Sequence, residues 1–347
     1  MTDASSALKG ERILVTGANG CTGSQLARTL IEAGCTVRGL VRRPDSVPAD
    51  LRGRMDVVVG NVRDQEAVRR AVEGCTVVYH IAALYRDTSA SGRAYWNVNV
   101  GGTERILEAC EAFRVKRLVH CSTIGVHGDV VKVPSDETAP FNPSDAYQRS
   151  KLEAEQRVWA WYRRTGIPTT VVRPAGIYGP GDLRFLKLFR GIQGGYFVML
   201  GSGRIHFHAV FIDNLVQGYL RCGTSPAAIG EVFIICDEQY VALNEFVGLV
   251  AEALDVPAPR WRAPVWPVYA AGAICEAVCV PLGIRPPLHR RRVGFFTHQR
   301  AFSIAKAQRL LGYAPAISLE EGLRRTAAWY QAQGYLRPTN GHAGAAR

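Results

Sequence analysis

The chain has 347 residues, of which 47% are hydrophobic and 21% charged. That fits one large α/β unit or two modest domains, and it excludes a disulfide-stapled miniprotein, a fibrous repeat and a wholly disordered chain. The net charge of +12, from 42 Lys plus Arg against 30 Asp plus Glu, permits contact with phosphates or an anionic membrane surface. No long basic run interleaved with aromatics appears, so nucleic acid is not an expected partner. Nine cysteines are odd in number and lie mostly in apolar stretches, as at Cys35, Cys75, Cys110 and Cys236. With no CxxC pair they read as buried free thiols of a reducing compartment. A short polar start, Met1 to Lys9, has no secretory pattern, and the cytoplasm is the expected location.

The elements follow in chain order. Arg12 to Thr16 is a short apolar run that reads as the first strand, with helical periodicity after Gly23, from Ser24 to Ala33. Strands are expected at Thr36 to Val41, Met55 to Val59, Thr76 to Ile81, Arg117 to Cys121 and Thr169 to Arg173. Helices are expected at Gln65 to Val72, Gly102 to Phe113 and Ala146 to Thr165. Continuous apolar strands alternating with amphipathic helices predict an α/β fold, a doubly wound parallel sheet of Rossmann type covered on both faces. After Pro174 the pattern loosens, with a strand at Glu231 to Cys236 and helices at Leu243 to Leu254 and Leu319 to Gln333. The expected division is a dinucleotide-binding domain over residues 10–175 with a return segment at about 208–236. A smaller, mostly C-terminal substrate domain takes 176–207 and 237–336, and 337–347 is a flexible tail.

Gly17-Ala18-Asn19-Gly20-Cys21-Thr22-Gly23 spaces its glycines GxxGxxG between the first strand and the first helix. Side chains at these glycines would block backbone approach to a pyrophosphate, and N–H groups at the helix N-terminus meet its charge. A strand–helix turn also wants glycine for conformational reasons alone, but the position at the first βα junction favours the nucleotide reading. The second strand ends Val41-Arg42-Arg43, without the Asp or Glu that bonds ribose hydroxyls in NAD sites. Arg42 and Arg43 suit a 2′-phosphate, so NADP(H) is favoured over NAD(H); two solvated loop arginines are the blander reading.

Tyr147 and Lys151 stand four apart, on one face of the helix from Ala146 to Thr165. A phenol with pKa near 10 is a poor base at neutral pH, and a neighbouring ammonium stabilises its anion. The tyrosine then exchanges a proton with an alcohol or ketone. Cys121-Ser122-Thr123 ends the intervening strand and offers a hydroxyl to the same oxygen. No clustered His/Cys/Asp set suggests a metal.

On these motifs the chain resembles the extended short-chain dehydrogenase/reductase family, the NAD(P)-dependent epimerase/dehydratase group. The likeness extends from Glu11 to about Leu336, through Gly60 to Asp64, His80 to Ala83, Asn97 to Thr103, and Arg173-Pro174 to Gly181. The resemblance implies that Thr123 supplies the hydroxyl with Ser122 beside it, that Tyr147 is the acid/base, and that Lys151 lowers its pKa and holds the nicotinamide ribose. It further implies that Asn61 and Val62 flank the adenine, that Ala82 and Ala83 line the dinucleotide path, that Asn99 supports the active-site helix, and that Pro174 belongs to the cofactor contacts. The family usually has Asp where Asn61 stands.

Sugar-nucleotide dehydratases of this type carry Asp-Glu after the catalytic Thr, where this chain has Ile124-Gly125. The stretch from Phe295 to Ile304 is more similar to the 3β-hydroxysteroid and sterol dehydrogenase branch. The resemblance therefore favours a small-molecule substrate that is sterol-like or another apolar alcohol. A nucleotide-sugar epimerase with tightly bound NAD(P) is the alternative, and a non-catalytic NAD(P)-sensing module the minor one. Residues 263–284 are aromatic-rich and nearly uncharged, but prolines and length argue against a membrane span. A lid, a peripheral membrane-surface contact or an internal helix remain open there, and Arg290 to Arg292 form an anion-binding cluster or a solvated loop. Apolar residues on several faces of the helices at Gly102 to Phe113 and Ala146 to Thr165, with Trp159 and Trp161, predict a homodimer.

Overall fold

The computed structural model describes residues 6–85, 92–279, 282 and 290–338. Part of the apolar segment, and Arg285, therefore lie outside the described residues, as do the side chains of Arg290 to Arg292 and residues 339–347. The first half alternates β1 (Arg12–Thr16), α1 (Cys21–Glu32), β2 (Thr36–Val41), β3 (Asp56–Val59), α2 (Gln65–Val72), β4 (Val77–His80), α3 (Gly92–Asn99), α4 (Gly101–Ala112), β5 (Arg117–Cys121), α5 (Ala146–Thr165) and β6 (Thr169–Pro174). The second half runs through β7 (Gly176–Tyr178), α6 (Leu186–Gln193), β8 (Met199–Leu200), β9 (His206–Phe207), β10 (Ala209–Phe211), α7 (Ile212–Thr224) and β11 (Val232–Ile235). It ends with β12 (Val241–Ala242), α8 (Leu243–Ala253), β13 (Arg262–Ala263), α9 (Val265–Cys279), α10 (Arg290–Thr297), α11 (Ala305–Leu311) and α12 (Leu319–Ala332).

Seven strands form one sheet in the order β11-β6-β5-β4-β1-β2-β3, and every neighbouring pair is parallel. The chain builds outward from β1 through β2 to β3, then crosses back to place β4 on the other side of β1. Strand order therefore reverses between β1 and β4, where doubly wound sheets open a crevice. Leu14, Leu40 and Val78 pack with Val68, Ile106, Val158 and Trp161, so α2, α4 and α5 cover one face. Val15, Val119 and Val172 pack with Leu26, Leu215 and Tyr219, so α1 and α7 cover the other. The expected α/β doubly wound architecture is what forms.

Caps set the helix limits that matter for the site. The Asp64 carboxylate accepts from the N–H groups of Glu66 and Ala67, and Asp145 accepts from Gln148 N at 2.8 Å. Such caps fix the register of α2 and α5. Gly166 closes α5 in the left-handed region at φ +69°. On α5 the inward residues are Ser150, Lys151, Ala154, Glu155, Val158 and Trp161, a spacing that returns one face each turn.

Glu155, one turn beyond Lys151, meets Arg173 of β6 in a buried ion pair. Ser122 Oγ donates to the same carboxylate at 2.5 Å. The guanidinium also donates to His127 Nε2 at 3.0 Å and to Glu137 O at 3.1 Å, and lies over the Phe141 ring. Since Arg173 can only donate, His127 is neutral there, with its Nδ1–H directed to Pro140 O. Replacing Arg173 with Met leaves a buried carboxylate unpaired and is expected to cost about 3–5 kcal/mol, measured by urea unfolding. The double variant Arg173→Met/Glu155→Leu is expected to recover part of that loss.

Candidate active site

The glycine loop sits where β1 ends. Gly17 adopts φ +70°, and a Cβ there would stand 3.1 Å from Ala82 Cα. A Cβ on Gly23 would stand 2.2 Å from Gly17 O. Neither position has room for a side chain, so α1 begins hard against the loop. Its N-cap, Gly20, offers no side-chain cap to the first N–H groups, which leaves them for an anion in the cleft. Helix α1 starts at Cys21 rather than Ser24, because the loop is already its first turn. Asn19 Nδ2 donates to Ser46 Oγ at 3.0 Å, tying the glycine loop to the segment after β2.

Behind the loop a directional chain of hydrogen bonds crosses the sheet. Ile81 N and Ala82 N both donate to Thr16 Oγ1 at 3.0 Å. Thr103 Oγ1 lies 2.6 Å from Asn99 O, to which it donates. It therefore accepts from His80 Nε2–H at 3.0 Å, and His80 Nδ1 accepts from Thr16 Oγ1 at 2.9 Å. Each donor has one acceptor, so the ring is neutral with its proton on Nε2. Burial, with Lys151 nearby, pushes the His80 pKa down to about 3. Asn99 bonds Leu84 N and O and donates to Ser150 Oγ at 2.9 Å, so it braces α5 against the segment after β4.

A cleft of about 1270 Å³ opens along the C-terminal ends of the strands. The residues expected to face cofactor or substrate line it, including Tyr147, Lys151 and Thr123, except Arg43 and Asn99. Arg43 is exposed beside Asp45, 3.9 Å away. Thr123 Oγ1 accepts from Gly125 N at 3.0 Å and faces the cleft wall. Ser122, beside Thr123 on the cleft, directs its own hydroxyl to the buried Glu155 carboxylate. Trp161, named for a dimer face, is likewise buried, with its indole N–H on Glu111.

Tyr147 is partly buried, its ring edge-on to Tyr85 at 4.8 Å and to Tyr95 at 6.4 Å. Burial pushes its phenol well above the ordinary value, and Arg184 pulls the other way. The Lys151 ammonium donates to Cys121 O at 2.5 Å, and burial lowers its pKa. The downward pull on the phenol thus comes here from Arg184, a residue the motifs did not single out. Its guanidinium pairs with Asp182 and lies 5.7 Å from the Tyr85 ring centroid. Asp182 also stands behind Cys21, whose thiol burial pushes up to about 12.

The far wall of the cleft includes Phe185, Phe207, Val265, Tyr269 and Phe295. Phe207 packs 4.8 Å from Phe246 and 5.6 Å from Phe295. Arg149, His298 and Arg300 add a polar sector. These residues come from six separate elements or loops; Val265, Tyr269, Phe295, His298 and Arg300 fall in the two stretches the sequence singled out, whereas Phe185, Phe207 and Arg149 fall outside them.

A family model described as the NAD dependent epimerase/dehydratase family matches residues 13–236. The chain belongs to the NAD-dependent epimerase/dehydratase family. It is an enzyme of extended short-chain dehydrogenase/reductase type, as the motifs implied. It is similar to the 3 beta-hydroxysteroid dehydrogenase/Delta 5-->4-isomerase of Mycobacterium tuberculosis, 31% identical over 352 residues that cover 95% of this chain and 93% of that protein. It is also similar to the N-acetyl-alpha-D-glucosaminyl-diphospho-ditrans,octacis-undecaprenol 4-epimerase of Escherichia coli, 28% identical over 321 residues, 91% of this chain and 94% of that one. Among solved structures, an epimerase from Methanothermobacter thermautotrophicus superposes with a TM-score of 0.79 at 26% identity, covering 96% of this chain and 95% of that one. The family binds NAD(H). The tight turn that Gly17 and Gly23 permit, with the uncapped start of α1 lining the cleft, fits its pyrophosphate.

Buried neutral histidines make the fold acid-sensitive. His208 donates to Asp237 O and accepts from Phe302 N, and burial lowers its pKa to about 4. For His80 and His208 the folded pKa lies below the unfolded value near 6.5, so their stabilisation is full above that pH and is lost on acidification. Asp237 acts oppositely, its carboxyl raised to about 6 by burial. Between pH 7 and pH 5 the two histidines are expected to remove about 4 kcal/mol and Asp237 to return about 1. Urea unfolding at stepped pH checks the net fall, and His208→Gln is expected to flatten it.

Proposed function

We propose that the protein is an NAD(P)-dependent oxidoreductase acting on a secondary alcohol or ketone carbon of a sterol-like or other apolar substrate. The observation that carries this is one cleft lined together by the glycine loop, by Tyr147, Lys151 and Thr123, and by the aromatic Phe185, Phe207, Tyr269 and Phe295. A nicotinamide held in this cleft would supply hydride exchange with the carbinol carbon. Tyr147 moves the hydroxyl proton, and Thr123 holds the same oxygen. Lys151 bonds the nicotinamide ribose and favours the phenolate, and Arg184 adds to that field. The aromatic wall excludes water and accepts an apolar skeleton, in keeping with the name of the mycobacterial relative. All nine cysteines are free thiols, in keeping with a cytoplasmic address.

NADP(H) is the preferred cofactor in this reading, through Arg42, which lines the cleft where β2 ends without an acidic residue. Arg43 is assigned no part. A second reading is a nucleotide-sugar epimerase, supported by the polar sector at Arg149, His298 and Arg300; the Escherichia coli relative shares the epimerase chemistry, on a sugar that by its name is linked to an undecaprenol diphosphate. There the hydride returns to the opposite face and the cofactor is not consumed.

Purified protein incubated with NADP+ or NAD+ against sterols and sugar nucleotides tests both readings. Reduced cofactor appearing with a 3β-hydroxysteroid supports the first, and a sugar-nucleotide epimer formed without net redox supports the second. Tyr147→Phe is expected to lower kcat about 10²–10⁴-fold with the cofactor Kd unchanged. Arg42→Ser is expected to weaken NADP(H) more than NAD(H). A homodimer through α4 and α5 completes the reading, with half-buried Leu152 and Trp159 available on α5; sedimentation is expected to give twice the chain mass.

A further inference from the structure

Helix α9 is apolar on every side, and its fifteen residues carry one charge, Glu276. A helix of that composition is ordinarily enclosed by protein or lipid. Among its described residues, however, Gly272 alone is buried. Trp266 is 74% exposed, Ile274 66% and Val278 56%, and Trp261 just ahead of the helix is 69% exposed. A contiguous apolar surface of this kind marks an interaction site rather than scatter. The inner side of α9 is used differently: Val265, Tyr269 and Glu276 line the catalytic cleft.

The order of residue types along this edge identifies what covers it. Arg260 and Arg262 are exposed at the start, and Arg262 is fixed by a 2.8 Å hydrogen bond to Ser202 O. Trp261 and Trp266 stand beside the arginines, and the aliphatic Ile274 and Val278 lie further along. Cations at phosphate depth, indoles at the headgroup boundary and aliphatics below them is the sequence of environments across a lipid leaflet. The fifteen described residues reach about 22 Å, where a hydrocarbon core is about 30 Å thick. Among the described residues no helix is long and apolar enough to cross a membrane.

We propose that α9 docks the protein on an anionic lipid surface, inserting Trp266, Ile274 and Val278 while Arg260 and Arg262 meet lipid phosphates. The cleft wall formed by Val265 and Tyr269 then lies at headgroup depth. Its use as an entrance rests on the apolar-alcohol reading above, because such a substrate partitions into the bilayer and reaches the cleft without crossing water.

The test is flotation of the full chain with vesicles of phosphatidylcholine alone and with one-third phosphatidylglycerol. The unaltered protein is expected to float with the anionic vesicles about tenfold more than with the neutral ones. Trp266→Glu/Ile274→Glu is expected to lose about tenfold of that binding, and Arg260→Glu/Arg262→Glu to lose the preference for anionic lipid. NAD(H) binding, followed by fluorescence, is expected to stay unchanged in both variants. Failure of the unaltered protein to float with either vesicle overturns the proposal. So does equal flotation of the Trp266/Ile274 variant, or its conversion of a dimer to a monomer, which assigns the face to a second copy. Flotation as expected without turnover of any apolar alcohol leaves the docking standing and removes the proposed function.

Discussion

The arrangement of the candidate site depends on one buried ion pair, Arg173 with Glu155. Three stretches of chain converge on it: the end of β5 through Ser122, α5 through Glu155, and β6 through Arg173. Such a pair adds little net stability compared with a well-packed apolar substitute, because desolvation offsets most of the Coulomb attraction. Its effect is positional. The Ser122 hydroxyl is held on Glu155, and the next residue, Thr123, lines the cleft. Glu155, fixed to the sheet, sets the rotation of α5 and hence the direction of Lys151 one turn earlier. His127 and Glu137 extend the same anchor to the loop that follows β5.

Much of this was readable from the residues alone. The strands from β1 to β6 fall within a residue of where apolar runs stop, since a strand buried on both faces has no other composition available. Helices α2 and α5 were bounded correctly because Asp64, Asp145 and Gly166 are capping residues acting locally. Helix α3 was missed: Gly92–Asn99 is short and weakly patterned. Helix α7 was absorbed into a return segment, although Leu215, Val216, Tyr219 and Leu220 repeat at helical spacing. The glycine loop and the Tyr147–Lys151 pair were legible because their chemistry is contained in a few consecutive residues. Arg184 and the Phe185–Phe207 part of the aromatic wall were not, since each acquires its place by tertiary contact with residues distant in sequence.

The electrostatics of the site also became clear only in three dimensions. Spacing places Lys151 beside Tyr147, but the ammonium hydrogen-bonds Cys121 O, while the phenol is held protonated by its surroundings. In the protein alone burial outweighs the pull of Arg184, a cation from the second half of the chain, which lowers the phenol's pKa. The histidines near the sheet, His80 above all, are kept neutral and serve as fixed dipoles.

The pairing of β1 with β4 joins Thr16 to His80 across 64 positions. Parallel neighbours so distant in sequence close late, after the intervening β2 and β3 have been laid down. Gly17 is synthesised early, but its floor, Ala82, arrives only when that closure is complete. A nascent chain truncated before β4 has the nucleotide signature without the cradle. Until β4 pairs, the side of β1 that it covers is an unsatisfied strand edge, and the loop at Gly17 stands without its backing.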